Sequence, residues 1–164
     1  MEQLLVLLDE LIESALDQLY KQDIYLLEHE VHERTIVFRF GHYLQNLMDE
    51  TEAFRDYYLD FEYNRNGNQP KRIPAQSQNG ALPDLIIHQR GTNAHNLLIM
   101  EFKTPWNRQI EDDCKKLRQF IDPHGYYCYL SGKSILLGQV RQTVGIMTLF
   151  SPAYKQRAEA KYHH

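Results

Sequence analysis

Residues 83–103 read PDLIIHQRGTNAHNLLIMEFK, two apolar runs on either side of a short polar break. The runs, Leu82 to Gln89 and Asn96 to Lys103, have strand length and are rich in Leu and Ile, so both are read as strands. Gly91 and Asn93 are turn formers, which predicts an antiparallel hairpin. A register symmetric about Thr92-Asn93 sets Asp84 opposite Glu101, with Cβ atoms about 4.5–5.5 Å apart. Two like charges at that spacing destabilise a sheet, and a divalent metal resolves the conflict, because Mg²⁺ and Mn²⁺ prefer hard oxygen ligands. Period-two alternation puts Lys103 on the Glu101 face together with Ile86, Leu97 and Ile99. Leu85, Ile87, Leu98, Met100 and Phe102 share the other face. Both faces are apolar away from the charged end, so these strands are expected to be central, with helices on each side.

Working outward, Leu4, Leu5, Leu8, Leu11, Ile12, Ala15, Leu16 and Leu19 mark a first helix over about residues 3–20 with a wide apolar face. It packs on the domain or forms an oligomer contact; periodicity does not choose. A second helix is expected from about Glu30 to Met48, with the stripe Val37, Phe40, Leu44 and Leu47. Glu33 lies one turn before Val37, in line with that stripe. A carboxylate there must sit at the rim of the core or be paired within it, since burying it alone is costly. Packed on the metal-side face, this helix would aim Glu33 at the same site.

Tyr57 to Tyr63 reads as a strand, and Asn64 to Gly80 as a long polar loop carrying Arg65, Lys71 and Arg72. After Thr104-Pro105 a helix is expected, with Ile110, Cys114, Leu117 and Ile121 on one face, ended by Asp122-Pro123-His124-Gly125. Tyr126 to Leu130 and Ser134 to Val140 are expected to be strands joined at Ser131-Gly132-Lys133. A further strand is expected over Val144 to Phe150, and no domain boundary is visible.

The chain has 164 residues, 43% hydrophobic and 24% charged, with a net charge of −4. Those values describe a folded domain rather than a disordered or strongly basic one. No run approaches the roughly 20 apolar residues of a membrane span. The N-terminus lacks the basic and small-residue pattern of a signal peptide. Cys114 and Cys128 are the only cysteines, so a reduced, cytoplasmic protein is the expectation. His29, His32 and His42 have no spacing that makes a zinc site. His88 falls on the Asp84 face, where a strand-end histidine near solvent is the commoner case. Trp106, Tyr126, Tyr127 and Tyr129 offer rings for base stacking, although core or rim packing is the commoner role for most of them.

The order of these elements, with Pro83-Asp84 and Glu101-Phe102-Lys103 on adjacent strands, resembles the PD-(D/E)XK nuclease superfamily, in particular small bacterial members. The likeness covers about Glu33 to Leu130. Asp84, Glu101 and Lys103 match the signature position by position, and Glu33 matches an acidic residue often found on the preceding helix. The resemblance implies an α/β, restriction-endonuclease-like core with a central mixed β-sheet of four or more strands in the order α-β-β-β-α-β, all within one domain over residues 1–164. It implies a Mg²⁺- or Mn²⁺-dependent endonuclease hydrolysing phosphodiester bonds, with DNA the expected substrate. Asp84, Glu101 and the Phe102 carbonyl would hold the metal. Glu33 would bind a metal water or a second ion, and Lys103 would orient the attacking water.

Arg65, Lys71, Arg72, Lys115 and Lys116 are the candidate phosphate contacts. For the two helical lysines the alternative is a solvated face with a Glu111–Lys115 pair. A homodimer or larger partner would be needed to cut both strands in concert. The alternative function is a catalytically silent nucleic-acid-binding or protein-interaction module with the same fold.

Overall fold

The computed structural model describes residues 1–66, 69–70, 82–107, 109–122, 124, 127 and 129–152. Lys71, Arg72, Tyr126 and Cys128 lie outside the described residues. The chain divides into two compact units, one of residues 1–56, 102–108 and 136–145, the other of residues 57–101, 109–135 and 146–164.

In the first unit, α1 (Glu2–Gln22) buries Leu5, Leu8, Ile12, Ala15, Leu16 and Leu19, as its periodicity predicts, and packs on α3 (Glu33–Asp49). A short α2 (Ile24–Glu28) intervenes. It ends where Glu30 adopts φ 51° and the amides of Glu30 and Val31 bond back to Leu27 and Leu26, a left-handed helix stop. That reversal corrects the expected start of the second helix at Glu30. The helix begins at Glu33 instead, with His32 Nδ1 accepting from the Arg34 amide at 3.3 Å. Phe40 of α3 meets Phe102 with ring centroids 5.0 Å apart.

Also in the first unit, the Tyr20 hydroxyl donates to the Gly138 carbonyl at 2.8 Å and accepts from the Gly138 amide at 3.0 Å. Burial pushes the Tyr20 phenol up to about 12. Gly138 has no room for a side chain, because a Cβ there would lie 2.8 Å from the Thr143 carbonyl carbon. Gly138→Ala is expected to lower the unfolding free energy by about 2 kcal/mol, an overpacking cost. A urea midpoint equal to that of the wild type would refute it.

The second unit holds most of a five-stranded sheet in the order β1-β4-β5-β6-β7. The strands are β1 (Tyr58–Phe61), β4 (Leu85–His88), β5 (Asn96–Lys103), β6 (Ser131–Leu136) and β7 (Gly145–Phe150). A small ribbon of β2 (Arg65–Asn66) and β3 (Gln69–Pro70) falls between β1 and β4 in sequence, at the start of the segment expected to be wholly loop. β1 and β5 both pair antiparallel with β4. β5 and β6 are parallel: the Leu130 amide bonds to the Asn96 carbonyl, and the Leu137 amide, equally far along, to the Lys103 carbonyl. Ser151 bonding to Leu130 and Lys133 to Thr148 set β7 antiparallel to β6. The chain is therefore α/β with a mixed sheet.

The helix α4 (Glu111–Ile121) packs Leu117, Phe120 and Ile121 on Ile86 and Ile99. Tyr127 and Tyr129 join this core. This corrects the expected strand over Tyr126 to Leu130: the described residues there are not in a strand, and their rings are buried beside α4. Ser131-Gly132-Lys133 is likewise strand rather than turn. The reason lies in α4, since a Cβ on Gly132 would come within 3.4 Å of both Leu117 and Ile121. Gly132 marks a close helix–sheet approach, which a sequence reading takes for a turn signal.

Candidate functional site

Leu85, Ile86 and Ile87 pair with Met100, Ile99 and Leu98, the register predicted from the turn. The one irregularity falls between Ile87 and His88, at the end away from Asp84. Asp84 thus sits one residue before β4, and its carbonyl accepts from the Glu62 amide at 3.3 Å. Glu62 takes φ 44° to make that contact. Glu101 follows Met100, the last residue of β5 paired with β4, and is only 3% exposed.

Glu101 is surrounded by charge. Burial raises its carboxyl first, the charge of Asp84 raises it further, Lys116 opposes, and Asp113 adds to the rise. The net effect pushes Glu101 up to about 8. Lys116 Nζ stands 2.6 Å from Glu101 Oε1. The contact is close but falls outside good hydrogen-bond geometry at Oε1. Lys116 donates its well-formed bond to the Leu82 carbonyl at 2.8 Å.

Asp113 and Lys116 were not singled out as partners of Glu101 in the sequence, although a signal existed. Asp113 lies one turn before Leu117 and two before Phe120, on the buried face of α4. The stripe drawn through Cys114 passed beside it. Lys115, by contrast, is exposed and stands 3.8 Å from Asp112 rather than against Glu111.

The remaining candidates are placed as follows. The helix α3 meets Phe102 rather than the Ile86–Ile99 face, which α4 covers, and this corrects the expected packing of α3 on the Glu101 side; Glu33 Oε2 accepts from the Thr104 amide at 3.3 Å. Phe102 is fully buried and turned to the opposite side of β5 from Glu101, and the Lys103 carbonyl accepts from Leu137. Arg65 is exposed on β2. Trp106 is 36% exposed, whereas Tyr127 and Tyr129 are core. Among the described residues no group of three or more His, Cys, Asp or Glu stands ready to hold a metal ion.

At the other end of β4, His88 is buried rather than at the solvent edge. Its Nε2 lies 2.8 Å from Asp60 Oδ2, and Arg90 grips the same carboxylate through Nε at 2.9 Å and Nη2 at 2.6 Å. The Arg90 guanidinium also covers the Tyr58 ring at 4.4 Å. Burial alone would raise the Asp60 carboxyl, but hydrogen bonds from Arg90 and His88 outweigh it and hold the group well below the usual carboxylate range. This cluster ties the edge strand β1 to β4.

No protein-family model, curated protein or solved structure matches this chain. No described helix is long and apolar enough to cross a membrane.

Proposed function

We propose that this chain is a divalent-metal-dependent nuclease with a restriction-endonuclease-like core, hydrolysing phosphodiester bonds of nucleic acid, DNA in the first instance. The observation that carries the reading is Glu101. A carboxylate 3% exposed beside Asp84, with an oxygen that receives no well-angled hydrogen bond, is costly unless it serves a cation. The donor set fits Mg²⁺ or Mn²⁺, since both side chains offer hard oxygens.

Asp84, Glu101 and the Phe102 carbonyl would hold the ion, with Glu33 binding a metal water or a second ion. When bound, such an ion lowers the pKa of a water and neutralises charge on the phosphoryl group. Lys103, two residues beyond Glu101 on β5, orients the attacking water at its ammonium and steadies the phosphate charge. Asp113 adds negative charge beside Glu101 and so favours a cation there. Arg65, Lys71, Arg72 and Lys115 are proposed phosphate contacts. A homodimer or larger partner would supply the second cut in a duplex.

The test is incubation of wild type, Asp84→Ala and Lys103→Ala with plasmid and single-stranded DNA in Mn²⁺. Cleavage by wild type and a loss of about 10³-fold in each variant is expected. Wild-type rates in Lys103→Ala would remove that residue's role, and equal cleavage in Asp84→Ala would remove the site. The second reading, a silent nucleic-acid-binding or protein-interaction module, draws on Lys116, which gives Glu101 a cation from the chain itself. DNA binding without Mn²⁺-dependent cleavage would select it.

A further inference from the structure

Lys116 stands against Glu101, and its setting is specific. It lies on α4 beside Leu117, with its side chain 13% exposed against 3% for Glu101. Its ammonium reaches a buried carboxylate, whereas lysines more often carry the charge out to water. Two partners meet it there, the Leu82 carbonyl at 2.8 Å and Glu101 Oε1 at 2.6 Å. Leu82 precedes Pro83-Asp84 directly, so one ammonium links the segment that carries Asp84 to the carboxylate that Asp84 faces. The two contacts differ in kind. The bond to Leu82 satisfies hydrogen-bond geometry, while Oε1 has no bond that does. The contact to Glu101 is therefore the looser of the two in geometry, and the one an incoming cation would take.

We propose that Lys116 is a built-in counter-ion of Glu101 that competes with a divalent cation for the same carboxylate, yielding Glu101 while keeping the Leu82 carbonyl. This inference rests on the metal-dependent reading above and adds a positioning and affinity-setting residue to it. A unit positive charge so close to a ligand oxygen opposes a second cation in a poorly solvated place. Lys116 thus keeps the site weak for metal and holds the Asp84 segment in register before the ion arrives. A residue with only a structural role would act the other way: its loss would loosen the site and weaken metal binding.

The experiment is calorimetric Mn²⁺ titration of wild type, Lys116→Gln and Lys116→Arg. Lys116→Gln is expected to bind Mn²⁺ about tenfold more tightly than wild type, with Lys116→Arg close to wild type. Affinity in Lys116→Gln equal to or weaker than wild type would overturn the proposal while leaving the metal reading intact. No Mn²⁺ binding by wild type would overturn both. Should Lys116→Gln not fold, reductive methylation of wild-type lysines, mapped by peptide mass, reads the same event. Lys116 is expected to react slowly without metal and several-fold faster in saturating Mg²⁺. An unchanged rate in a protein that binds Mg²⁺ would overturn the proposal.

Discussion

Glu101→Gln is expected to make the protein more stable at neutral pH, by on the order of 3 kcal/mol, while removing its divalent-metal response. The carboxyl has an ordinary value of 4.5 and is pushed up to about 8 in the fold. Between those values unfolding releases a proton, so stability falls as pH rises through the window. Glutamine keeps the shape and an acceptor for Lys116 but has no proton to lose. The two proteins should therefore be equally stable near pH 4.5, diverge as pH rises, and differ most above about 8. For a chain of this size the gain at neutral pH corresponds to a melting temperature raised by roughly 10 °C. Thermal scans across the range check it. A variant no more stable than wild type at pH 7 would mean that Glu101 is well accommodated as a carboxylate. Its claim as a strained functional group would then go, since stability given up at a site is the mark of function.

Asp60→Ala is expected to act in the opposite direction, costing about 3 kcal/mol. It strips the carboxylate from His88, whose side chain is 4% exposed, and from Arg90, whose side chain is 53% exposed. The buried histidine contact carries most of the loss, because the arginine can turn to water. Among the described residues β1 pairs only with β4 in the sheet, so the loss should show as faster amide exchange along Tyr58–Phe61. The pH dependence is the mirror of that at Glu101. A carboxyl held well below 3.8 contributes its stability above that value and loses it as pH falls through the lower, folded range. The gap between wild type and variant should therefore close in strong acid. Equal urea midpoints at neutral pH would show that the cluster does not hold the strand.

The two carboxylates illustrate how far a linear reading reaches. The register that sets Asp84 against Glu101 was legible, because a turn containing Gly91 and Asn93 leaves two equal apolar arms with few ways to pair. The division of those arms into an Ile86–Ile99 face and a Phe102 face was legible too, since alternation is a property of the strand alone. Helices α1 and α4 announced themselves by periodicity. Glu30 and Gly132 were misread. A left-handed residue in a charged stretch and a glycine beneath a helix both depend on what packs around them.

The surroundings of the acidic pair were decided elsewhere. Nothing local says that α4 turns Asp113 and Lys116 toward Glu101, or that Asp60, His88 and Arg90 close on one another across two strands. Sequence by itself determined the β4–β5 hairpin, its register and which of its side chains share a face, because those follow from short-range geometry and the chain's own period. Only the tertiary structure decided which charges meet, because Coulomb energy and desolvation depend on distances and burial that arise when distant segments pack.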